Sequence, residues 1–324
     1  MGKKIYPYAV ARIRMLERSL LSEKEFMQMI DARSADEALK VLLDAGYGDS
    51  AQVDARDFEK LLSAQLAKAY SDVRELVTNE NFMDVFLYKN DYHNLKVLIK
   101  ADITGTDAEP YLIGGGTVNL EVLKGAFAAK NFSTIPFVMQ ESVAEAYEAY
   151  GKNQSGQAVD IVLDKDAFRQ MNITAKKSGS DFIKKYVEYV SDITNLKNFL
   201  RVKTMKRPFE MFAEIHVEGG SITVDAFRTA YGADSPWAGF KGSQYGELCS
   251  EGMPQGFTVF ERLCDNFIMG FIREAKYRSL TMEPMAAYIY ARETEVKTVR
   301  IIMSGKLNDI DAEIIKERLR DAYV

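Results

Sequence analysis

Apolar residues recur every three or four positions along most of this chain, the spacing that gathers them on one face of a helix. In the opening segment, YPYAVARIRMLERSLLS, Ala9, Ile13, Leu16 and Leu20 share a face, while Arg12, Arg14 and Arg18 fall elsewhere. Ser22-Glu23-Lys24-Glu25 reads as a capping box, in which the two outer side chains satisfy free amides reciprocally, and it opens a short helix. Ser34-Ala35-Asp36-Glu37 opens another through Leu39, Leu42 and Leu43, stopped at Gly46-Tyr47-Gly48. Longer helices are predicted from Val53 to Thr78 and from Phe82 to Ile103, followed by a break through Gly105 and Pro110.

The same order then recurs twice. Thr117-Val118-Asn119 starts a second round of short helical stretches, broken at Pro136 and Gly151, with long helices from Val159 to Met171 and from Asp181 to Met205. Ile222-Thr223-Val224-Asp225 starts a third, broken through the Gly/Pro-rich residues 232–256, with long helices from Thr258 to Tyr277 and from Met285 to Met303. The closing NDIDAEIIKERLRDAYV predicts a terminal amphipathic helix with Ile310, Ile314 and Leu319 on its face.

The last helix of each round carries the repeat most plainly. DYHNLKVLIK from Asp91, DITNLKNFLR from Asp192 and RETEVKTVRI from Arg292 align without gaps on Lys96, Lys197 and Lys297, which lie 101 and 100 residues apart. Leu95, Leu196 and Val296 coincide, as do Leu98, Phe199 and Val299 one turn later. Phe58 and Phe260 precede their lysines by 38 and 37 residues, and Phe26 and Phe227 each follow a start residue, Ser22 or Thr223, by four. The third copy has drifted. Glu293 and Arg300 replace the apolar pairs Tyr92/Ile193 and Ile99/Leu200, and Glu295 replaces Asn94/Asn195. The expected fold is all-α, with helical repeats over residues 1–108, 109–217 and 218–324.

Composition agrees with helix. There are only seven prolines and 21 glycines in 324 residues, a length that calls for two or three domains or an array of repeats. A net charge of -5 argues against nucleic acid as a partner, since a phosphate-tracking surface needs a basic excess. Cys249 and Cys264 are too few for a disulfide framework or a metal cluster and read as free thiols. No apolar segment follows a basic start and no run of about 18 apolar residues occurs, so neither a secretory signal nor a membrane-spanning helix is expected and the cytoplasm is the default.

Candidate chemistry is sparse. Gly114-Gly115-Gly116 lacks the lysine and Ser/Thr of a phosphate loop and reads as a flexible joint between rounds one and two. His93 has Thr194 and Thr294 at its place in the other copies, and neither it nor His216 has a ligand partner at i+4, so structural or surface roles are expected. There is no Asp-Asp-x-x-Asp, Glu-x-x-His, His-Glu-x-x-His or Gly-x-Ser-x-Gly, and no catalytic, cofactor or metal residue is assigned. One polar feature repeats: Lys96 and Lys100 lie one turn apart, as do Lys197 and Arg201. Like charges at this spacing cost a few tenths of a kcal/mol in an isolated helix. They form either a solvated face among acidic neighbours or a basic rim for an acidic or carbonyl-rich partner. Arg12 and Arg14 invite the same reading.

Together, the opening YPYAVARIRMLERSLLS, the DYHNLKVLIKADI and DITNLKNFLR helices and the closing IIKERLR resemble the C subunit of V/A-type ATPases, known in eukaryotes as the d subunit, over essentially the whole chain. The resemblance implies a funnel of three pseudo-threefold-related helical domains without catalysis of its own. It also implies a place at the cytoplasmic face of the membrane, on the rotor ring, receiving the central shaft built from the D and F subunits. A free-standing helical scaffold that binds proteins would have a similar composition, although it would be expected to add further copies and polar caps.

Overall fold

The computed structural model describes residues 6–48, 53–77 and 81–324, and among these there are helices and no strands. In the first round, α1 (Pro7–Glu17), α2 (Glu23–Asp31), α3 (Ala35–Asp44), α4 (Phe58–Leu76) and α5 (Asp84–Thr104) follow one another. The second round contributes α6 (Leu120–Ala128), α7 (Phe137–Asn153), α8 (Gly156–Ser178), α9 (Asp181–Thr204) and α10 (Phe209–Ile215). The third contributes α11 (Val224–Gly232), α12 (Gly246–Gly252), α13 (Phe257–Arg273), α14 (Glu283–Leu307) and α15 (Ala312–Lys316).

The boundaries follow local chemistry. Glu25 accepts the backbone N–H of Ser22 at 2.6 Å, and Ser34 caps α3 by accepting from Glu37 N–H. Gly46 and Gly48, at φ 87° and 80°, end that stretch in the left-handed region open to glycine. The helix expected from Val53 starts later, because Asp54 caps a 3₁₀ turn over Ala55–Asp57 before α4 begins at Phe58. Its expected end at Thr78 lies outside the described residues. Residues 232–256, expected as a break, instead hold a 3₁₀ turn over Pro236–Phe240 and the short α12. α8 runs seven residues beyond the expected end at Met171, to Ser178, where Gly179 closes it at φ 68°.

The terminal helix is the largest local correction. α15 is five residues long and buries Ile315, leaving Ile310 and Ile314 exposed. Of the predicted face, Ile310 and Ile314 therefore lie outward, while Leu319, beyond the helix, packs against the core of the first unit. Past α15 the chain holds itself by Arg320 and Tyr323, both buried, rather than by helical periodicity.

The chain packs as two compact units, one of residues 1–79 with 235–324 and the other of residues 80–234. In the second unit, α5 lies against α6, α7 and α8, and α9 against α8 and α10. Its cluster joins Leu95 and Ile99 of α5 to Leu123, Met139, Val143, Val159 and Leu163. In the first unit, α14 lies against α1, α2, α3 and α4, so that Val296, Val299 and Ile302 share a core with Phe26, Leu42 and Phe58. In each unit, then, a helix that ends one round is buried by helices that begin another. The aligned positions Leu95, Leu196 and Val296 are all buried, which is what aligned core positions require.

Candidate interaction site

The long helices that end the rounds carry paired polar side chains one turn apart, and these turn inward. On α5, Asp91 is fully buried and accepts from Thr117 N–H (2.9 Å), Thr117 Oγ1 (2.6 Å) and Val118 N–H (3.1 Å). Asn94 meets the backbone of Ile113 twice, donating to its carbonyl at 2.7 Å and accepting its N–H at 2.9 Å. On α9, Asp192 accepts from Ser221 N–H (2.9 Å), Ser221 Oγ (2.7 Å) and Ile222 N–H (3.0 Å), and Asn195 makes the same double contact with Val217 at 2.8 and 2.9 Å. Each latch fixes the connection leading into the next short helix and satisfies backbone groups that burial would otherwise orphan.

The glycine run belongs to this latch and is not a flexible joint. A Cβ on Gly116 would stand 2.1 Å from Asp91 Oδ1, and a Cβ on Gly220 would stand 2.1 Å from Asp192 Oδ1. Asn90 also donates to the carbonyls of Gly114 and Gly115, at 3.3 and 3.1 Å. Glycine is there so that a carboxylate can approach the backbone.

On α14 the same task is done with different chemistry. Arg292 and Glu295 stand at the positions of the Asp and Asn, both buried, and pair with each other. Glu295 accepts from Leu21 N–H and from Tyr47 Oη, while Arg292 donates to Ser19 Oγ at 2.9 Å and to Tyr288 Oη at 3.3 Å. Burial raises the Glu295 carboxyl above its ordinary value against the pull of Arg292, Tyr47 and the Leu21 amide. Burial works against the Arg292 charge too, but Glu295 and the two tyrosines hold that guanidinium above its ordinary value. The amides held this way, of Val118, Ile222 and Leu21, each belong to the residue just before an N-cap: Asn119, Thr223 and Ser22.

The basic face lies beside these latches. Lys96 pairs with Asp164 at 2.5 Å and Lys100 with Asp160 at 2.6 Å, tying α5 to α8. On α14, Lys297 pairs with Asp265 at 2.5 Å, which Arg320 also reaches at 3.0 Å, and Arg300 grips Glu59 of α4 through two bonds of 2.6 and 2.9 Å. Glu59 and Asp160 are 101 residues apart, the period of the repeat. On α9, Lys197 is half-buried and Arg201 exposed. In the first helix the two arginines part company. Arg14 chelates Glu17 at 2.7 and 2.8 Å and donates to the carbonyls of Ala275, Lys276 and Arg278. Burial opposes its charge, but Glu17 and Tyr323 together hold its guanidinium above its ordinary value. Arg12 is exposed.

The remaining candidates are structural. His93 is exposed with Nε2 2.9 Å from the carbonyl of Tyr111, and His216 packs edge-on against Phe212 and Phe227. Cys249 and Cys264 are buried and in no disulfide, the thiol of the first pushed up to about 12 by burial. Among the described residues no group of three or more His, Cys, Asp and Glu is placed to hold a metal ion, and no helix is long and apolar enough to cross a membrane. The paired polar positions are visible in the aligned DYHN and DITN stretches, but their partners are 19 to 30 residues away, and nothing in the spacing names them.

Buried polar side chains that fix the connections after long helices, and ion pairs that brace helix to helix, define an all-helical protein made to hold its shape. The chain belongs to the ATP synthase (C/AC39) subunit family, whose pattern matches residues 9–318. That family is a non-catalytic part of the rotary ATPase. The V-type sodium ATPase C subunit of Enterococcus hirae is 26% identical, over 96% of this chain and 97% of its own length. The A-type ATP synthase C subunits of Methanocaldococcus jannaschii and Thermococcus onnurineus are each 25% identical, over 97% and 98% of this chain and 86% and 90% of theirs.

Proposed function

We propose that this chain is the central-stalk socket of a V/A-type ATPase or ATP synthase. It receives the shaft built from the D and F subunits and seats on the membrane rotor ring at the cytoplasmic face, so that rotation couples ATP to ion transport. The observation that carries this reading is the repeated latch on α5, α9 and α14, combined with membership of the family. A part that transmits torque needs stiffness and a broad surface more than a reactive group. Supporting it, α14 at the end of round three is packed by α2, α3 and α4 of round one, as a closed cycle of three repeats requires. The repeats are proposed as pseudo-threefold domains over residues 1–108, 109–217 and 218–324, arranged as a funnel.

Lys96, Lys100, Lys197 and Arg201 are proposed as the rim of that socket, the ion pairs of Lys96 and Lys100 being exchangeable for a partner's acidic or carbonyl groups. Co-purification tests the whole reading. The chain should bind the D–F complex and the detergent-solubilised ring, and should appear in the assembled complex at the stalk. If it binds neither while all are folded, it is a free-standing scaffold instead. Charge reversal at Lys100 and Arg201 should weaken the D–F complex at low salt, and unchanged binding there would remove the rim from the proposal.

A further inference from the structure

Among the described residues, one face of α1 is left exposed. Tyr8, Arg12, Met15 and Arg18 lie along one stripe of it, spaced by three or four residues, and all four are exposed, Tyr8 by 77% and Met15 by 58%. The turn after α13 runs alongside. Tyr6 N–H donates to the carbonyl of Leu280 at 2.9 Å, and Arg14 holds three carbonyls between Ala275 and Arg278. Those anchors bring Tyr277, 89% exposed, Leu280, 48% exposed, and the exposed Arg278 to the flank of the same stripe. Exposed tyrosine, methionine and leucine are thus interleaved with three arginines that the fold leaves pointing outward. Glu17 of α1 is occupied by Arg14, and Glu274, at the start of the same turn, is exposed.

We infer that this face, the outer stripe of α1 with the Tyr277–Leu280 turn, rests on an anionic lipid surface, the arginines meeting phosphates and the apolar tips entering the headgroup layer. The charge and the amphipathic side chains fit such a surface, because arginine and tyrosine keep a polar end wet while burying an apolar body. Size separates lipid from protein. An eleven-residue helix is about 16 Å long, so its outer stripe and one turn offer on the order of 300 Å², against about 800 Å² per partner in a stable protein interface. A bilayer needs no such minimum, since each basic and apolar group adds to the contact separately. The face is also convex: a side chain that is 89% exposed has no surrounding groove, and a soft surface accommodates a protrusion that a rigid partner would have to match. Contact of this kind does not depend on which other proteins the chain couples.

Sedimentation of the purified full chain with lipid vesicles tests it. Vesicles of phosphatidylcholine with about 30% phosphatidylglycerol should retain the chain, pure phosphatidylcholine should not, and raising salt from about 0.1 M to about 0.5 M should release it. R12E/R18E should lose at least about tenfold in binding, and Y8S/Y277S should lose several-fold, with circular dichroism and unfolding midpoint unchanged. These positions are exposed, so the variants should fold. Absence of binding by the natural chain, or equal binding by R12E/R18E, would overturn the inference. If the variants bind vesicles normally but fail to join the detergent-solubilised complex, the face is a protein interface and the inference also falls.

Discussion

Asp91 and Asp192 show how much of this molecule turns on single contacts. Each carboxylate sits against a glycine where a methyl group would collide with its oxygen at 2.1 Å. Gly116→Ala and Gly220→Ala should each cost about 1–3 kcal/mol, the cost of a buried polar group forced off its partners. Gly114→Ala, where nothing lies within 4 Å of the new atom, should stay within about 0.5 kcal/mol. Urea unfolding of the three variants separates a latch from a flexible joint, since a joint would tolerate all three alike. His216 gives a prediction in pH. Burial, then Lys165, lowers its pKa from the ordinary 6.5, and its Nε2 is buried without a partner among the described residues. The unfolded chain therefore binds the proton first as pH falls below about 6.5, and stability present above that value is lost on the way down. Relative to His216→Phe, the natural chain should lose stability between about pH 7 and pH 5 and hold it above pH 7, as read by unfolding at each pH.

Among the elements, α14 differs from α5 and α9 in the chemistry of its latch. Arg292→Met or Glu295→Gln alone leaves its partner buried without its counter-charge, and either should cost about 3–5 kcal/mol. Replacing both together, as Arg292→Met with Glu295→Leu, should cost less than the sum of the single changes, because no unpaired charge remains. A double-mutant cycle by denaturant unfolding reads the difference directly. The α5–α8 braces are of another kind. Lys100 and Asp160 have side chains 40% and 37% exposed, so their coupling should be below about 1 kcal/mol and shrink with salt. Such a pair can set a surface's charge pattern at little cost to stability, which is why partner binding rather than unfolding is the informative assay for it.

For the molecule as a whole, the two chain ends fold together while residues 80–234 form a unit from one continuous stretch. Expressed alone, residues 80–234 should be helical with dispersed amide NMR signals. Residues 235–324 alone should not fold cooperatively, because Val296, Val299, Ile302 and Met303 of α14 would lose Phe26, Leu42 and Phe58. Co-expression with residues 1–79 should restore them; failure to do so would mean that the packing of α14 depends on more than that unit.

Helix content, the order of short and long helices, the period of about 100 residues and the drift of the third copy are all legible along the chain. These depend on local spacing and propensity, which a sequence displays directly. The closing stretch has a helical period from Ile310 onward, yet only Ala312–Lys316 is helix, Ile310 and Ile314 face solvent, and Leu319 alone of that face packs on the core. The partners of polar groups are not legible. Arg12 and Arg14 read alike as exposed basic residues, but Arg14 is occupied by Glu17 and by carbonyls more than 260 residues away, and Arg12 is not. Gly116 reads as looseness in the sequence, and only the fold sets Asp91 against it. Periodicity reports which way a side chain faces on its own helix, whereas its partner is set by how distant helices meet, and that is fixed by packing the whole set of faces at once.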